Sequence, residues 1–229
     1  MKKRSPRDYR DLLRSGKWFA GLPEALQDRL LHLASLRQLA GGERLFSRGD
    51  APCGLYAVLD GGIRVSGFSE SGKEAVLTLL DPPTWFGEIA VFDQQPRTHD
   101  AVAEPASLIV HVPQVALEQL LDAHPRYWRE LGLLVTTKLR LAFTAMEGMA
   151  LLPIVVRLAR RLALMAEGYG ERTHLSRTVE VSQEQLAMMV STSRQTANHL
   201  LKELESRGLI RLQYGSIEIL DLEGLRNYA

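Results

Sequence analysis

The sequence predicts an α+β fold in which a β-rich part, a long helix and a winged helix-turn-helix follow one another along the chain. Residues 43–112 alternate short apolar runs with clusters of Gly, Asp, Ser and Pro, which is typical of a β-roll, barrel or sandwich. Apolar residues at every third or fourth position between 126 and 152 indicate one long helix. Residues 181–220 carry two short helical patterns, a glycine and a strand–turn–strand pattern.

Ahead of the β-rich part, residues 5–40 are predicted to be helical. One helix is expected to have Pro23 at its first position, leucines along one face and an end at Gly41-Gly42. The basic N-terminus has no apolar segment behind it, and no run of about 20 apolar residues follows. We therefore expect no signal peptide, no membrane contact and a cytoplasmic protein, with which the single Cys53 agrees.

Six short apolar runs are the predicted strands of the β-rich part, and a short helix over 115–121 follows them. The strands are expected at 44–46, 55–59, 63–65, 75–80, 101–102 and 108–110. Turn signals such as Asp60-Gly61-Gly62 separate them. Many short strands at this spacing predict a layered or closed β-structure.

The stretch from 181 to 208 predicts two short helices joined by a tight turn. Ser182 with Gln185, and Thr192 with Gln195, match the pattern of a capping box at the start of each helix. The turn position that often carries glycine is Ser191, where a left-handed backbone costs roughly 1–2 kcal/mol, unless the turn is built differently. Gly208 is expected to end the second helix, and the two strands after it form a wing.

The polar face of the second helix predicts contact with double-stranded DNA. In a major groove, Arg194 can donate two hydrogen bonds to guanine, and Gln195 can pair with adenine. Ser193 and Thr196 suit phosphate contacts. The predicted DNA-binding residues are Ser182, Gln183, Ser193, Arg194, Gln195, Thr196, Asn198, His199 and Lys202. A solvated helix hairpin in an ordinary bundle stays an open alternative.

The overall charge of the chain does not by itself indicate binding to nucleic acid. The net charge is +1, and residues 154–229 carry ten Lys and Arg against nine Asp and Glu. Any DNA footprint must therefore come from local arrangement, and the segment from Thr192 to Lys202 has two cations and no acid.

The long helix is predicted from Arg126 to Leu152, with Pro153 as a joint before a further helix over 154–167. Its apolar stripe consists of Leu131, Val135, Leu139, Ala142, Met146 and Met149. Such a stripe is either buried against a core or forms the seam of a two-stranded coiled coil. We favour the seam, because a two-fold dimer is the common way to bind two DNA half-sites.

The segment SRQTANHLLKELESRGLI, together with the wing, resembles the C-terminal domain of CRP/FNR (catabolite activator/fumarate-nitrate regulator) transcription factors. The resemblance implies a cyclic-nucleotide-binding-like effector domain over 1–125, a dimerisation helix over 126–153 and a DNA-binding domain over 154–229. It also implies a homodimer that binds a palindromic operator, has RNA polymerase as a partner and is not an enzyme. Because relatives often carry Glu and Arg where this chain has Gln195 and His199, we expect an altered palindrome.

The segment from Trp85 to Ala90, followed by Arg97-Thr98, is similar to the phosphate-binding cassette of cyclic-nucleotide-binding domains. The resemblance assigns the effector site to Gly87, Glu88, Ile89, Arg97, Thr98 and Phe143. Arg97, Thr98 and backbone amides would hold a cyclic phosphate, and Glu88 would accept a hydrogen bond from the ribose.

Two features of the cassette disfavour cyclic AMP as the effector. Asp100 opposes an anionic ligand, and Ala142 and Phe143 stand where cyclic-AMP-responsive relatives carry a hydroxyl pair. The alternatives that stay open are another small anion or nucleotide, no ligand with Glu88 paired to Arg97, haem on His32, His99 or His111, and a redox switch at Cys53. A sensor module without DNA binding is the alternative function. No catalytic or metal-binding motif is predicted.

Overall fold

The computed structural model describes residues 4–169 and 175–229, and it divides them into two compact units. The N-terminal unit comprises residues 4–67 and Leu77–Leu139, and the C-terminal unit comprises Phe68–Val76 and the described residues after Leu139. No described helix is both long enough and apolar enough to cross a bilayer.

The chain begins with helices but turns into a strand earlier than the sequence predicts. A 3₁₀ turn at Pro6–Tyr9 leads to α1 (Arg10–Arg14), α2 (Lys17–Gly21) and α3 (Glu24–Leu33), and Pro23 is the N-cap of α3 and not its first residue. The prediction of helix up to residue 40 is wrong, because β1 (Ser35–Leu39) pairs with a strand that begins only at Ser107. Periodicity cannot reveal a short strand that such a distant partner stabilises.

Two four-stranded sheets follow the N-terminal helices along the chain. The further elements are β2 (Arg44–Phe46), β3 (Gly54–Asp60), β4 (Ile63–Phe68), β5 (Glu74–Leu80), β6 (Trp85–Phe86), α4 (Glu88–Asp93), β7 (Asp100–Ala103), β8 (Ser107–Pro113) and α5 (Gln114–Ala123). The strand orders are β1-β8-β3-β6 and β2-β7-β4-β5. All six predicted strands are present, whereas β6 and α4 were not predicted as separate elements.

The central strand β3 explains why this unit has two apolar layers. Leu55 and Ala57 face a cluster with the N-terminal helices, and Tyr56 and Val58 face the space between the sheets. A strand buried on both faces is apolar throughout, as the run from Leu55 to Leu59 is.

The long helix α6 (Tyr127–Leu151) changes its environment along its length. Leu131 and Leu134 are buried in the N-terminal unit, but Leu139, Met146 and Met149 are exposed in the single chain. The prediction of one continuous seam is therefore wrong at its start, because that part of the stripe packs against the helices and β-strands of its own unit.

The C-terminal unit packs helices against a small antiparallel sheet. Its elements are α7 (Ile154–Ala166), β9 (Thr178–Glu180), α8 (Gln183–Met189), α9 (Arg194–Ser206), β10 (Ile210–Gln213), β11 (Ser216–Ile219) and α10 (Leu222–Arg226). The strand order is β10-β11-β9, so the predicted two-stranded wing gains a third strand from the segment before α8. Gly168, at the end of the predicted helix over 154–167, takes a positive φ of 57°.

Candidate nucleic-acid interface and ligand site

The turn between α8 and α9 is built by hydrogen bonds that also set where α9 begins. The N–H of Thr192 donates to the Ala187 carbonyl at 2.9 Å, and the N–H of Ser191 donates to the Met188 carbonyl at 3.3 Å. This is the double hydrogen bond of a Schellman motif, in which the residue after the C-cap is left-handed. Ser191 has that backbone, with φ of 56°.

One of the two predicted capping boxes is confirmed and the other is wrong. At α8, the Ser182 hydroxyl accepts from the Gln185 N–H at 3.1 Å, and the Gln185 side chain accepts from the Ser182 N–H at 2.8 Å. At α9 the cap is Ser193, which accepts from the Thr196 N–H at 3.1 Å. Thr192 cannot be the cap, because its backbone is used by the Schellman motif.

The helix α9 has one buried and one exposed face. Ala197, Leu201 and Leu204 are fully buried in the unit. Four polar side chains are exposed on the other side and make no hydrogen bond or ion pair with other described residues; they are Arg194, Gln195, His199 and Lys202. This face is available to a partner.

The other predicted DNA-binding residues have partners within the unit. Asn198 donates from Nδ2 to Gln183 Oε1 at 2.7 Å, which ties α9 to the start of α8. The hydroxyls of Ser193 and Thr196 lie 2.9 Å apart in the cap. Ser182 is exposed at the start of α8.

The acidic residues of α9 lie in its C-terminal half and have hydrogen-bonding partners there. Glu203 pairs with Arg207 at 2.8 Å and accepts from the Tyr228 hydroxyl at 2.9 Å. Glu205 accepts from the Leu212 N–H at 2.7 Å. The N-terminal half of α9 therefore carries the cation Arg194 and no acid, which favours a polyanion.

The second site is centred on Arg97, which is buried in the N-terminal unit with 4% exposure. Its Nη1 donates to the Gly87 carbonyl at 2.9 Å, and its Nη2 donates to the Gly54 carbonyl at 2.7 Å and to Cys53 Sγ at 3.1 Å. The guanidinium also lies 4.5 Å from the centroid of the Phe46 ring. Several fixed contacts thus orient this cation.

Gly87 is required at this position by both conformation and space. Its φ is 94°, and a Cβ atom would lie 2.9 Å from the Gly54 carbonyl oxygen and 3.0 Å from Arg97 Nη1. A side chain here would displace the backbone that holds Arg97.

Glu88 pairs with a residue that the sequence interpretation missed. It is 3% exposed and accepts from Lys138 Nζ at 2.6 Å, and Lys138 also donates to the Trp85 carbonyl at 2.7 Å. The alternative in which Glu88 pairs with Arg97 is therefore wrong. The sequence offered only a general signal for this pair, namely that a buried carboxylate needs a cation. Residue spacing does not indicate that the cation is on α6, 50 residues further along the chain.

The structure brings Gly87, Glu88 and Arg97 together, while the other predicted effector residues lie differently. Ile89 and Thr98 are exposed, and Thr98 Oγ1 lies 2.9 Å from His99 Nδ1. Phe143 is 60% exposed and belongs to the C-terminal unit.

Asp100 and His111 are engaged by the N-terminal unit itself. Asp100 accepts from the Arg48 N–H at 2.7 Å, so its charge is partly compensated. His111 Nε2 lies 2.7 Å from the Cys53 carbonyl, the ring stacks on Tyr56 with 4.6 Å between centroids, and burial lowers the pKa of His111. Burial also lowers the pKa of His99.

Two segments of the chain match the sequence models of known protein domains. Residues 36–124 match the sequence model of the cyclic nucleotide-binding domain, and residues 156–228 match that of the Crp-like helix-turn-helix domain. The CRP-like cAMP-activated global transcriptional regulator of Mycobacterium tuberculosis is 29% identical over 190 residues, which are 82% of this chain and 85% of that protein. The Cyclic AMP receptor protein of Thermus thermophilus is 27% identical over 212 residues, which are 92% of this chain and 95% of that protein. A solved CRP/FNR-family transcriptional regulator, also from Thermus thermophilus, has a TM-score of 0.64 at 26% identity and covers 84% of this chain and 96% of its own.

A cyclic-nucleotide-binding fold and a helix-turn-helix in one chain define an effector-gated, DNA-binding transcription regulator. The chain belongs to the CRP/FNR family of such regulators. The predictions of family, fold class and general function are thereby confirmed. The domain limits at 125 and 153 and the individual contact residues stay predictions.

Proposed function

We propose that the protein binds a palindromic operator as a homodimer and recognises each half-site with Arg194, Gln195 and His199. The observation that carries the proposal is the exposed face at the start of α9, where the side chains of Arg194, Gln195 and His199 have no hydrogen-bonding partner among the described residues. A side chain that is polar, exposed and held on a capped helix can enter a major groove without first breaking contacts of its own.

Within this interface, two kinds of contact have different consequences. Arg194 donates two hydrogen bonds to a guanine, and Gln195 pairs with an adenine, so these residues set the sequence preference. Ser182, Gln183, Ser193, Thr196, Asn198 and Lys202 position the protein on the phosphate backbone. The phosphate contacts add affinity and salt dependence without distinguishing one sequence from another.

The exposed second half of α6 supports the homodimer. Phe143 and Met146 are 60% and 64% exposed, and Leu139 and Met149 continue the same stripe at intervals of three or four residues. Apolar side chains in such a row are stabilised when a second α6 covers them in a coiled coil. We include RNA polymerase as a further partner on the strength of the family membership.

For the gating ligand, we propose a small anion or nucleotide bound at the cassette around Arg97. The positive charge of the guanidinium, held in place by the carbonyls of Gly54 and Gly87, supports an anionic group at this point. A ligand hydroxyl that approaches Glu88 competes with Lys138 for the carboxylate. Since Lys138 lies on α6, that competition alters how this helix is held, which is a direct route for a population shift.

Cyclic AMP is the effector named for the Mycobacterium tuberculosis relative, and it is one form of this ligand class. Ala142 and Phe143 cannot hydrogen-bond a purine edge. This absence supports a nucleotide whose base is recognised by other groups, or an anion without a base.

The experiment that tests the proposal is a selection of binding sites from random DNA with the purified full-length chain. We expect a palindrome with half-sites about one helical turn apart and a guanine that depends on Arg194. Arg194→Ala is expected to cost about 1–3 kcal/mol of discrimination at that guanine, because the two hydrogen bonds to it are lost. Competition binding with operators that differ only at this base measures the effect.

The matched control is Arg207→Ala, which removes an arginine from the C-terminal end of the same helix. Arg207 is paired with Glu203, so its loss should leave the base preference unchanged. The proposal fails if Arg194→Ala binds the selected operator with wild-type affinity and base preference.

A further inference from the structure

The exposed polar face of α9 contains one side chain of the type that gains or loses a proton between about pH 5 and 8. His199 lies one helical turn after Gln195 and three residues before Lys202, so the three side chains share a face. His199 is exposed and makes no hydrogen bond with another described residue. The charge of the proposed DNA-binding face therefore depends on pH through this imidazole.

Among the described residues of the C-terminal unit, His199 is the only histidine. The other histidines that the structure describes lie in the N-terminal unit; they are His32, His99, His111 and His124. Burial lowers the pKa of His99 and of His111, which favours their neutral forms. Within the described part of the chain, a proton taken up by the C-terminal unit in this pH range is thus assigned to His199.

No carboxylate of α9 is bonded to His199. Glu203, one turn further along the helix, is paired with Arg207 at 2.8 Å and accepts from the Tyr228 hydroxyl at 2.9 Å. The charged residues of α9 are Arg194, Lys202, Glu203, Glu205 and Arg207. A positive charge on His199 consequently has no carboxylate partner within its own helix.

The elements packed against α9 supply no described carboxylate bonded to His199 either. These elements are α7, α8 and β10. Their charged residues are Arg157, Arg160, Arg161, Glu184 and Arg211. Glu184 is exposed in the first turn of α8, and Arg211 is paired with Glu218 at 2.8 Å. The phosphates and guanine acceptors of a bound duplex would provide the negative charge that a protonated His199 lacks in the free protein.

We propose that protonation of His199 couples operator binding to pH, an inference that rests on the proposed function. In the cationic form both ring nitrogens donate, and a charged N–H donates more strongly than a neutral one to a guanine acceptor in the major groove. The DNA phosphates in turn stabilise the cation. Protonation and binding therefore favour each other.

The sign of the effect follows from this coupling. Operator affinity is highest at low pH and is lost as the pH rises through the range in which the DNA-bound imidazolium gives up its proton. Because the imidazole lies on α9 and not in the cassette around Arg97, the regulator responds to acidification without a change of ligand.

The test measures operator affinity at constant ionic strength between about pH 5.5 and 8 for the wild type, His199→Arg and His199→Gln. With a proton taken up by each protomer, the wild-type affinity should fall about tenfold or more across this range. His199→Arg stays positive and His199→Gln stays neutral, so each should vary by less than about twofold. The control is His32→Gln, which removes an exposed histidine of the N-terminal unit and should keep the wild-type slope.

Calorimetry of operator binding in two buffers of different ionisation enthalpy counts the protons taken up, and His199→Gln should abolish the uptake. A flat wild-type profile on a DNA that the wild type selects overturns the inference and leaves the proposed function intact. A slope that persists in both His199 variants does the same, because it assigns the titration to another group. Failure of the wild type to select any DNA removes the proposed function and this inference together.

Discussion

At the scale of single residues, the most heavily constrained side chain is Arg97. A buried guanidinium loses free energy for each donor that has no partner, and among the described residues Nε of Arg97 is one such buried donor. Its two terminal nitrogens, by contrast, donate hydrogen bonds to the carbonyls of Gly54 and Gly87. The residue proposed to bind the ligand is thus also part of the structure that forms the site.

From this we predict that Arg97→Ala lowers the free energy of unfolding of the N-terminal unit by about 2–4 kcal/mol, because it leaves buried carbonyls unsatisfied. Urea denaturation followed by tryptophan fluorescence measures it, since all three tryptophans lie at positions 18, 85 and 128 in that unit. Arg97→Lys is the comparison. Lysine keeps the charge but lacks the two planar terminal nitrogens that donate to both carbonyls, so its free energy of unfolding should lie between those of the wild type and Arg97→Ala. Equal midpoints for the wild type and Arg97→Ala would contradict the structural part of this role.

The pairing of Glu88 shows why residue types do not identify partners. Both Arg97 and Lys138 are cations that could neutralise this carboxylate, and Arg97 is the nearer one in sequence. Arg97 is committed to backbone carbonyls, so the Glu88 carboxylate is met by Lys138 from α6.

At the scale of elements, the α8–α9 turn is a place where the chain accepts strain. Ser191 has φ of 56°, which is uncommon for residues with a Cβ atom. The two hydrogen bonds of the Schellman motif compensate for the strain and set the angle at which α9 leaves α8.

We predict that Ser191→Gly stabilises the C-terminal unit by about 0.5–1 kcal/mol, because relief of the left-handed strain exceeds the added chain entropy of glycine. Hydrogen exchange of the α8 and α9 amides measures the stability of this unit. Thr192→Gly is the control: Thr192 has no positive φ, so glycine there should destabilise the unit. The interpretation is wrong if both substitutions shift exchange in the same direction.

At the scale of the whole molecule, the proposed homodimer depends on the exposed apolar side chains in the second half of α6. We predict that Met146→Glu converts the dimer to a monomer at micromolar concentration, because a buried carboxylate in a coiled-coil seam lacks a partner. Sedimentation velocity measures the mass of the variant. Its affinity for the operator should also fall, because a monomer engages one half-site. Thr144→Glu, at an exposed position off the stripe, should remain dimeric. A wild-type chain that sediments as a monomer would refute the proposed assembly.

Prediction from sequence succeeded where the signal is local. The six strands between turn residues, the helix-turn-helix and the end of α9 at Gly208 follow from patterns within a few residues. It failed for β1 and β9, which are short strands stabilised by partners far along the chain. The sequence also predicted the N-cap of α9 one residue too early, at Thr192. The backbone N–H of Thr192 belongs to the Schellman motif that ends α8, and the N-cap is Ser193.

By itself, the sequence determined the succession of a β-rich part, a long helix and a helix-turn-helix, the polar face of α9 and the glycine at position 87. These depend on periodicity, caps and backbone freedom, which neighbouring residues carry. Only the tertiary structure decided that Glu88 pairs with Lys138 and that Arg97 donates to the carbonyls of Gly54 and Gly87. Such contacts join residues distant in the chain, and their geometry exists only once the sheets and helices have packed.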